Sequence, residues 1–216
     1  MYAAVNGIRL YYEVHGEGTP LLMVHGNSES HEIFAESIRL LRKTHRVYAV
    51  DSRCHGRSTK TDAISYDLMA SDLIALIHML DLHRPIFYGF SDGGILGLLI
   101  AIREPQLLGK LIVSGANINP EGLKTGSRIS TWLVALTGNR LYRMMLREPH
   151  IRPAQLREIT VPTVVLAGEH DVIRPEQTRL IARSIPGAVL EVIPGESHGS
   201  YIYHSPKLAK ILRKYL

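Results

Sequence analysis

The strongest constraint on this chain is a six-residue stretch, Gly89-Phe90-Ser91-Asp92-Gly93-Gly94, set between the apolar run Pro85-Ile86-Phe87-Tyr88 and a second apolar run from Ile95 to Ile102. A short apolar run closed by glycine, then an apolar stretch of helical length, predicts a strand, a tight turn and a buried helix. In that setting G-x-S-x-G is a nucleophile elbow: the serine occupies a strained turn, and small residues at 89 and 93 let strand and helix backbones pass closely. Ser91 then stands at the strand's C-terminal end, on a helix N-terminus whose dipole favours developing negative charge. A glycine-rich turn with an incidental serine would look the same in isolation, so the rest of the chain has to decide.

Apolar segments bounded by turn residues alternate with stretches of helical period along the whole chain, which predicts an α/β fold with a mostly parallel, eight-stranded sheet flanked by helices. The predicted strands are 2–5, 9–14, 21–24, 47–50, 86–88, 110–114, 163–167 and 189–193, the first two joined by an Asn6-Gly7 hairpin turn. Predicted helices cover 29–43, 66–80, 92–103, 175–184 and 206–215, the last two with proline at the start, where a missing N–H is harmless. Residues 1–116 and 159–216 thus form the core, and 117–158 are expected to be a small helical lid inserted between the sixth and seventh strands, with short helices at 129–136 and 141–147.

Two later loops supply partners for Ser91. Gly168-Glu169-His170-Asp171 follows a predicted strand and offers a carboxylate, and Gly195-Glu196-Ser197-His198-Gly199 follows the last strand and offers an imidazole. The order Ser91, Asp171, His198 suits this scaffold, and the helix and strand between 171 and 198 return the chain to the same edge of the sheet. Serine needs His198 to take its proton, and His198 needs Asp171 to fix its tautomer and stabilise the imidazolium. Glu169 and His170 compete for these roles, but Asp171 sits deeper in its loop and His198 has small neighbours. For the tetrahedral oxyanion, worth about 3–4 kcal/mol per donor, the candidate donors are the backbone N–H groups of Asn27 and Asp92. His25, just before Asn27, is read as orienting that loop.

With these residues in view the chain resembles the α/β-hydrolase superfamily over essentially its whole length, through His25-Gly26-Asn27, Asp51-Ser52-Arg53-Cys54-His55-Gly56-Arg57-Ser58, the elbow, Gly168-Glu169-His170-Asp171 and Ser197-His198-Gly199. The resemblance implies cofactor-free hydrolysis of carboxylic-ester-type bonds by an acyl-enzyme. The S-D-G-G elbow and Ser114-Gly115-Ala116-Asn117 look like the valacyclovirase or biphenyl-hydrolase-like branch, which implies activated or aminoacyl esters; lactones and thioesters would use the same groups. One departure is Cys54, which stands where the family pattern D-x-R-G-H-G-x-S has glycine, so a strained or rearranged loop is expected there. Cys54 itself is read as structural.

The expected substrate-side residues are Asp92, Ser28, Asn117, Trp132, Leu136, Met144 and Met145. Asp92 has two readings, an acid favoured by the helix dipole or a carboxylate for a substrate ammonium. Trp132, Leu133 and Leu136, with Leu141, Met144 and Met145, give each lid helix an apolar side that would cover an acyl or aryl group or seal the lid on the scaffold. Two other functions remain open: hydrolysis or elimination at a carbon–carbon bond with the same three residues acting as base, and a non-catalytic ligand receptor.

Composition narrows the setting. A length of 216 residues suits one domain, and a single cysteine precludes an internal disulfide, pointing to a reducing, cytoplasmic compartment. The longest apolar or glycine run, Gly93 to Ile102, is too short for a membrane span, and there is no metal-ligand, P-loop or dinucleotide motif, so neither metal nor cofactor is expected. The net charge of +5 lies wholly in residues 116–216, which hold 14 Lys+Arg against 8 Asp+Glu. Arg140, Arg143 and Arg147 fall on one helical face and read as solvated lid surface. The partner expected is a small-molecule ester, with no nucleic acid and no membrane, and the sequence leaves the oligomeric state open.

Overall fold

The computed structural model describes residues 1–216. Eight strands form one sheet: β1 (Tyr2–Val5), β2 (Ile8–His15), β3 (Thr19–Val24), β4 (His45–Val50), β5 (Ile86–Phe90), β6 (Lys110–Ser114), β7 (Thr163–His170) and β8 (Val189–Ser197). Their order is β1-β2-β4-β3-β5-β6-β7-β8. β2 runs antiparallel to both neighbours, and every pair from β4 to β8 is parallel. The Asn6-Gly7 turn has positive φ at both residues (46° and 77°), as a tight two-residue hairpin requires.

Parallel strands need crossover helices, so both faces of this sheet are covered and its central strands are apolar on both sides. Leu22, Val24 and Phe87 face one core with α2 (Tyr66–Met79), α3 (Asp92–Arg103) and α7 (Pro175–Ser184). Leu21, Met23, Ile86 and Tyr88 face a second core with α1 (Ala35–Leu41) and α8 (Lys207–Leu212). The stretch expected as one helix over 29–43 is instead a 3-10 turn, His31–Phe34, leading into α1. The turn is tight because Asp51 Oδ1 accepts from both the backbone N–H and the Nδ1 of His31, at 2.8 and 2.7 Å.

Between β6 and β7 the chain leaves the sheet and forms α4 (Thr125–Leu136), α5 (Arg140–Arg147) and the short α6 (Pro153–Leu156). α4 begins one turn earlier than the apolar pattern predicts, since its first turn, Thr125-Gly126-Ser127-Arg128, carries no apolar residue.

The loop after β4 is strained. Cys54 has φ of 65°, its N–H donates to Thr59 O at 3.1 Å, and its Sγ lies 3.2 Å from Thr61 O. The loop is pinned by a buried ion pair in which Arg53 Nε and Nη2 grip both carboxylate oxygens of Asp72 on α2, at 2.7 and 2.8 Å. A side chain in the left-handed region costs about 1–2 kcal/mol, more than the roughly 0.5–1 kcal/mol of chain entropy that glycine would lose. Cys54→Gly should therefore raise the unfolding free energy by roughly 0.5–1 kcal/mol in urea titration, whereas β-branched Cys54→Val should lower it by at least about 1 kcal/mol. The reverse order would mean that the thiol contacts outweigh the strain.

Candidate active site

Ser91 is the first residue beyond β5 and holds φ 53° and ψ −113°, a strained conformation that lifts its side chain off the strand line. The turn exists because two glycines permit it. A Cβ on Gly89 would lie 2.1 Å from Gly93 O, and a Cβ on Gly93 would lie 2.2 Å from Val24 O. The Ser91 N–H donates to Ser114 O at 2.7 Å and the Gly93 N–H to His25 O at 3.1 Å, so the elbow is tied to the loops on both sides.

Asp171 and His198 are likewise the first residues beyond their strands, because β7 runs to His170 and β8 to Ser197, further than the sequence pattern indicates. A break in the β7–β8 register between Gly168 and His170 re-aims the chain there. His198 Nε2 lies 3.1 Å from Ser91 Oγ, and His198 Nδ1 lies 2.7 Å from Asp171 Oδ1, which also accepts from the Ile173 N–H at 2.9 Å. Asp171 is buried, whereas Glu169 and His170 are exposed, and Glu169 accepts from the Gly195 N–H at 2.8 Å instead. Two further residues position the imidazole. The ring of Phe90 sits 4.8 Å from that of His198, and Gly115, at φ 63°, leaves room where a Cβ would lie 2.7 Å from His198 Cε1.

The loop after β3 brings Asn27 beside Asp92. Neither backbone N–H donates to any group of the chain. Their side chains are bonded to each other: Asn27 Nδ2 donates to Asp92 Oδ2 at 3.2 Å, and the hydroxyl of Tyr66 donates to Asp92 Oδ1 at 2.8 Å. Ser28 Oγ donates to Asn27 Oδ1 at 2.7 Å, completing a chain of bonds from the surface to α2. Asp92 is 2% exposed, and burial raises its carboxyl to about 6 despite the Tyr66 and Asn27 donors. The expectation of a substrate ammonium here meets a carboxylate whose oxygens both have donors within the chain. His25 Nδ1 lies 2.7 Å from Gly26 O and its Nε2 accepts from the Ser52 N–H at 3.1 Å, so this ring braces the same loop. Burial, with the neighbouring His55, lowers it to about 3, leaving it neutral.

Sequence reasoning missed Tyr66, Phe90 and Glu29. Glu29 Oε2 accepts from the Gly26 N–H at 2.8 Å, and burial raises its carboxyl although that bond and Tyr203 oppose the shift. A Cβ placed on Gly26 would touch both Glu29 Oε2 and Ser91 Cβ, at 2.9 and 3.0 Å, so the carboxylate stands close to the serine. Of these three, only Phe90 carried a signal, its place inside the elbow.

The remaining substrate-side candidates divide. Met144 and Asn117 are buried, and Asn117 Nδ2 donates to Asn119 O at 2.7 Å, which ties down the start of the excursion; Met145 is half-buried. Ser28 is exposed, with φ of 60°. Trp132 and Leu136 are exposed, and Trp132 lines a groove with Thr125, Arg128, Ile129 and Leu146 in which none of Ser91, Asp171 and His198 takes part. α4 turns its small residues Thr131 and Ala135 inward, so its apolar side does not close over the serine as expected.

Comparison with known proteins agrees with this architecture. Residues 19–133 match the family model of the α/β hydrolase fold. RutD of Pseudomonas syringae, a protein named for carbamate hydrolysis, is 25% identical over 94% of this chain and 95% of its own length. The human serine hydrolase BPHL is 26% identical over 99% of this chain and 84% of its own. The solved structure of Est816, an N-acyl homoserine lactone degrading enzyme, superposes with a TM-score of 0.84 at 25% identity over 100% of both chains.

The buried carboxyl of Asp92 has a measurable consequence. Its folded-state value of about 6 lies above the ordinary 3.8, so its contribution to stability is complete below about pH 4 and is lost as pH rises through 6. That difference corresponds to roughly 3 kcal/mol. Asp92→Asn cannot titrate, so its stability relative to the parent should improve by up to about 3 kcal/mol between pH 4 and pH 8 in urea unfolding. A difference that stays constant with pH would show that burial does not govern this carboxyl.

Proposed function

The chain belongs to the α/β hydrolase fold family and is a hydrolase, and from that premise we propose that it cleaves carboxylic esters of small acyl or aryl substrates through an acyl-enzyme on Ser91. The observation that carries the reading is the unbroken chain Ser91 Oγ, His198, Asp171, at 3.1 and 2.7 Å, beside two backbone N–H groups with no partner in the protein.

In this reading His198 Nε2 takes the proton of Ser91 Oγ as that oxygen bonds to the ester carbonyl carbon. The carbonyl oxygen gains the negative charge and is received by the N–H groups of Asn27 and Asp92. Collapse of the tetrahedral adduct breaks the bond to the alcohol oxygen, which leaves with the proton from His198. A water then repeats the sequence on the acyl-enzyme, giving up its proton to His198 and releasing the acid and Ser91. Asp171 keeps Nδ1–H directed at itself and stabilises the transient imidazolium. Lactones and thioesters present the same carbonyl and fit the same steps.

Asp92 is assigned to a clamp. Its carboxylate links the side chain of one oxyanion donor to the backbone of the other, holding the two N–H groups at a fixed spacing before substrate arrives. This clamp role is better supported than ammonium binding, because Tyr66 and Asn27 already donate to its oxygens. Residues 117–158 are assigned to a small lid, anchored to the body through the buried Met144 of α5.

Short-chain p-nitrophenyl esters test the reading. Ser91→Ala should lose at least about 10³-fold in kcat, and Asp171→Asn on the order of 10⁴-fold. A fluorophosphonate should label the parent once, on Ser91, and leave Ser91→Ala unlabelled. Turnover that survives Ser91→Ala would overturn the proposal, and a parent that turns over substrate without forming any adduct on Ser91 would favour the three residues acting as a base.

A further inference from the structure

α4 is inverted relative to an ordinary surface helix, which buries its apolar stripe against the body. Ile129, Trp132, Leu133 and Leu136 recur at the spacing of one helix face, yet are 53, 51, 54 and 61% exposed, while Thr131 and Ala135 take the inward side. Half or more of each stays open to solvent. Four large apolar side chains in one contiguous stripe make a patch of the kind that marks an interaction surface.

The charges beside the stripe indicate what covers it. From Lys124 to Arg147 the sequence has five cationic residues, Lys124, Arg128, Arg140, Arg143 and Arg147, and no Asp or Glu. Arg140 is paired with Asp62 on the loop before α2. The other four make no ion pair within the chain. Arg128 lines the groove of about 490 Å³ that also holds Ile129, Trp132 and Leu146. Arg143 Nε donates to Ala135 O at 3.1 Å, which sets its guanidinium against the last turn of α4. Apolar side chains and unpaired cations thus share one face.

We propose that this face, the outward stripe of α4 with Lys124, Arg128, Arg143 and Arg147 around it, docks the protein onto anionic lipid surfaces. The apolar side chains enter the boundary between headgroups and acyl chains, with the indole of Trp132 at headgroup level, and the guanidinium groups meet lipid phosphates. A second copy fits less well, because two-fold pairing of this stripe would set cations against cations with no carboxylate between them. Docking here would hold the β6–β7 excursion at a surface where amphiphilic esters collect. It is independent of whether Ser91 cleaves them.

Trp132 is the only tryptophan, so its emission reports directly on the stripe. Vesicles of phosphatidylcholine containing about one-third phosphatidylglycerol should blue-shift that emission and carry the protein upward in flotation, with at least about tenfold weaker partitioning to pure phosphatidylcholine and loss of binding in 1 M salt. The combined variant Lys124→Gln, Arg128→Gln, Arg147→Gln should partition at least about tenfold more weakly, and Leu133→Asp should abolish the blue shift. Thermal melting followed by circular dichroism checks that both variants are folded. Absence of flotation with the anionic vesicles would overturn the proposal. So would a blue shift that follows protein concentration without lipid, together with a dimer by light scattering that Leu133→Asp dissolves, since that result assigns the stripe to a second copy.

Discussion

Much of the site depends on one close approach, that of the first turn of α3 to the end of β3. The Gly93 N–H reaches His25 O at 3.1 Å, and any side chain at 93 would drive into Val24 O. Only because these backbones touch does Asp92 stand beside Asn27, and only then can their side chains bond. The strain at Ser91 belongs to the same contact: a serine at φ 53° persists because the Ser91 and Gly93 N–H groups donate to Ser114 O and His25 O on either side and over-determine the turn. A bulkier residue at 89 or 93 would remove the elbow and the Asn27–Asp92 contact together.

The sheet does the rest by registering its strand ends. Ser91, Asp171 and His198 are each the first residue past β5, β7 and β8, so parallel pairing delivers all three to one edge. That edge adjoins the point where the chain order reverses, with β4 on one side of β3 and β5 on the other, where open α/β sheets leave a crevice beyond the strand termini. The two loops meeting at this crevice are those of Asn27 and Ser91. Distance along the sequence is immaterial once the strands are in register, which is how residues 107 positions apart come to share a hydrogen bond.

What could be read from the sequence follows from the range of the forces involved. Strand and helix positions rest on local apolar periodicity, and all eight strands lie where the pattern places them, although β7 and β8 extend further into polar residues than an apolar pattern can register. The elbow and its partners rest on residue types that the chemistry demands. The breaking of the 29–43 stretch was not legible, because it depends on Asp51 accepting from His31 across 20 positions. Nor were the bonds that hold Asp92, since Tyr66 reaches it from another helix and nothing near Tyr66 announces it. The inward face of α4 was misread for a different reason: periodicity shows that a helix has an apolar side, but not that this side faces the core.

The charge of the chain resolves into two environments. Near Ser91 the ionisable groups are acids held inside the fold, Asp92 and Glu29 with carboxyls raised by burial and Asp171 bonded to His198. The cations gather instead along residues 124–147, where four of them make no ion pair within the chain. Opposite charges so close in sequence space would ordinarily pair; here Asp62 is the only acid outside the hairpin that does so, through Arg140. Residues 117–158, with seven Lys+Arg against three Asp+Glu, hold most of the chain's positive excess, and the site holds none of it. The crevice beside Ser91 is lined by shielded carboxylates, while the cationic field acts on whatever approaches α4. The crevice beside Ser91 and the outward face of α4 are thus built from different residues, and either can change without disturbing the other.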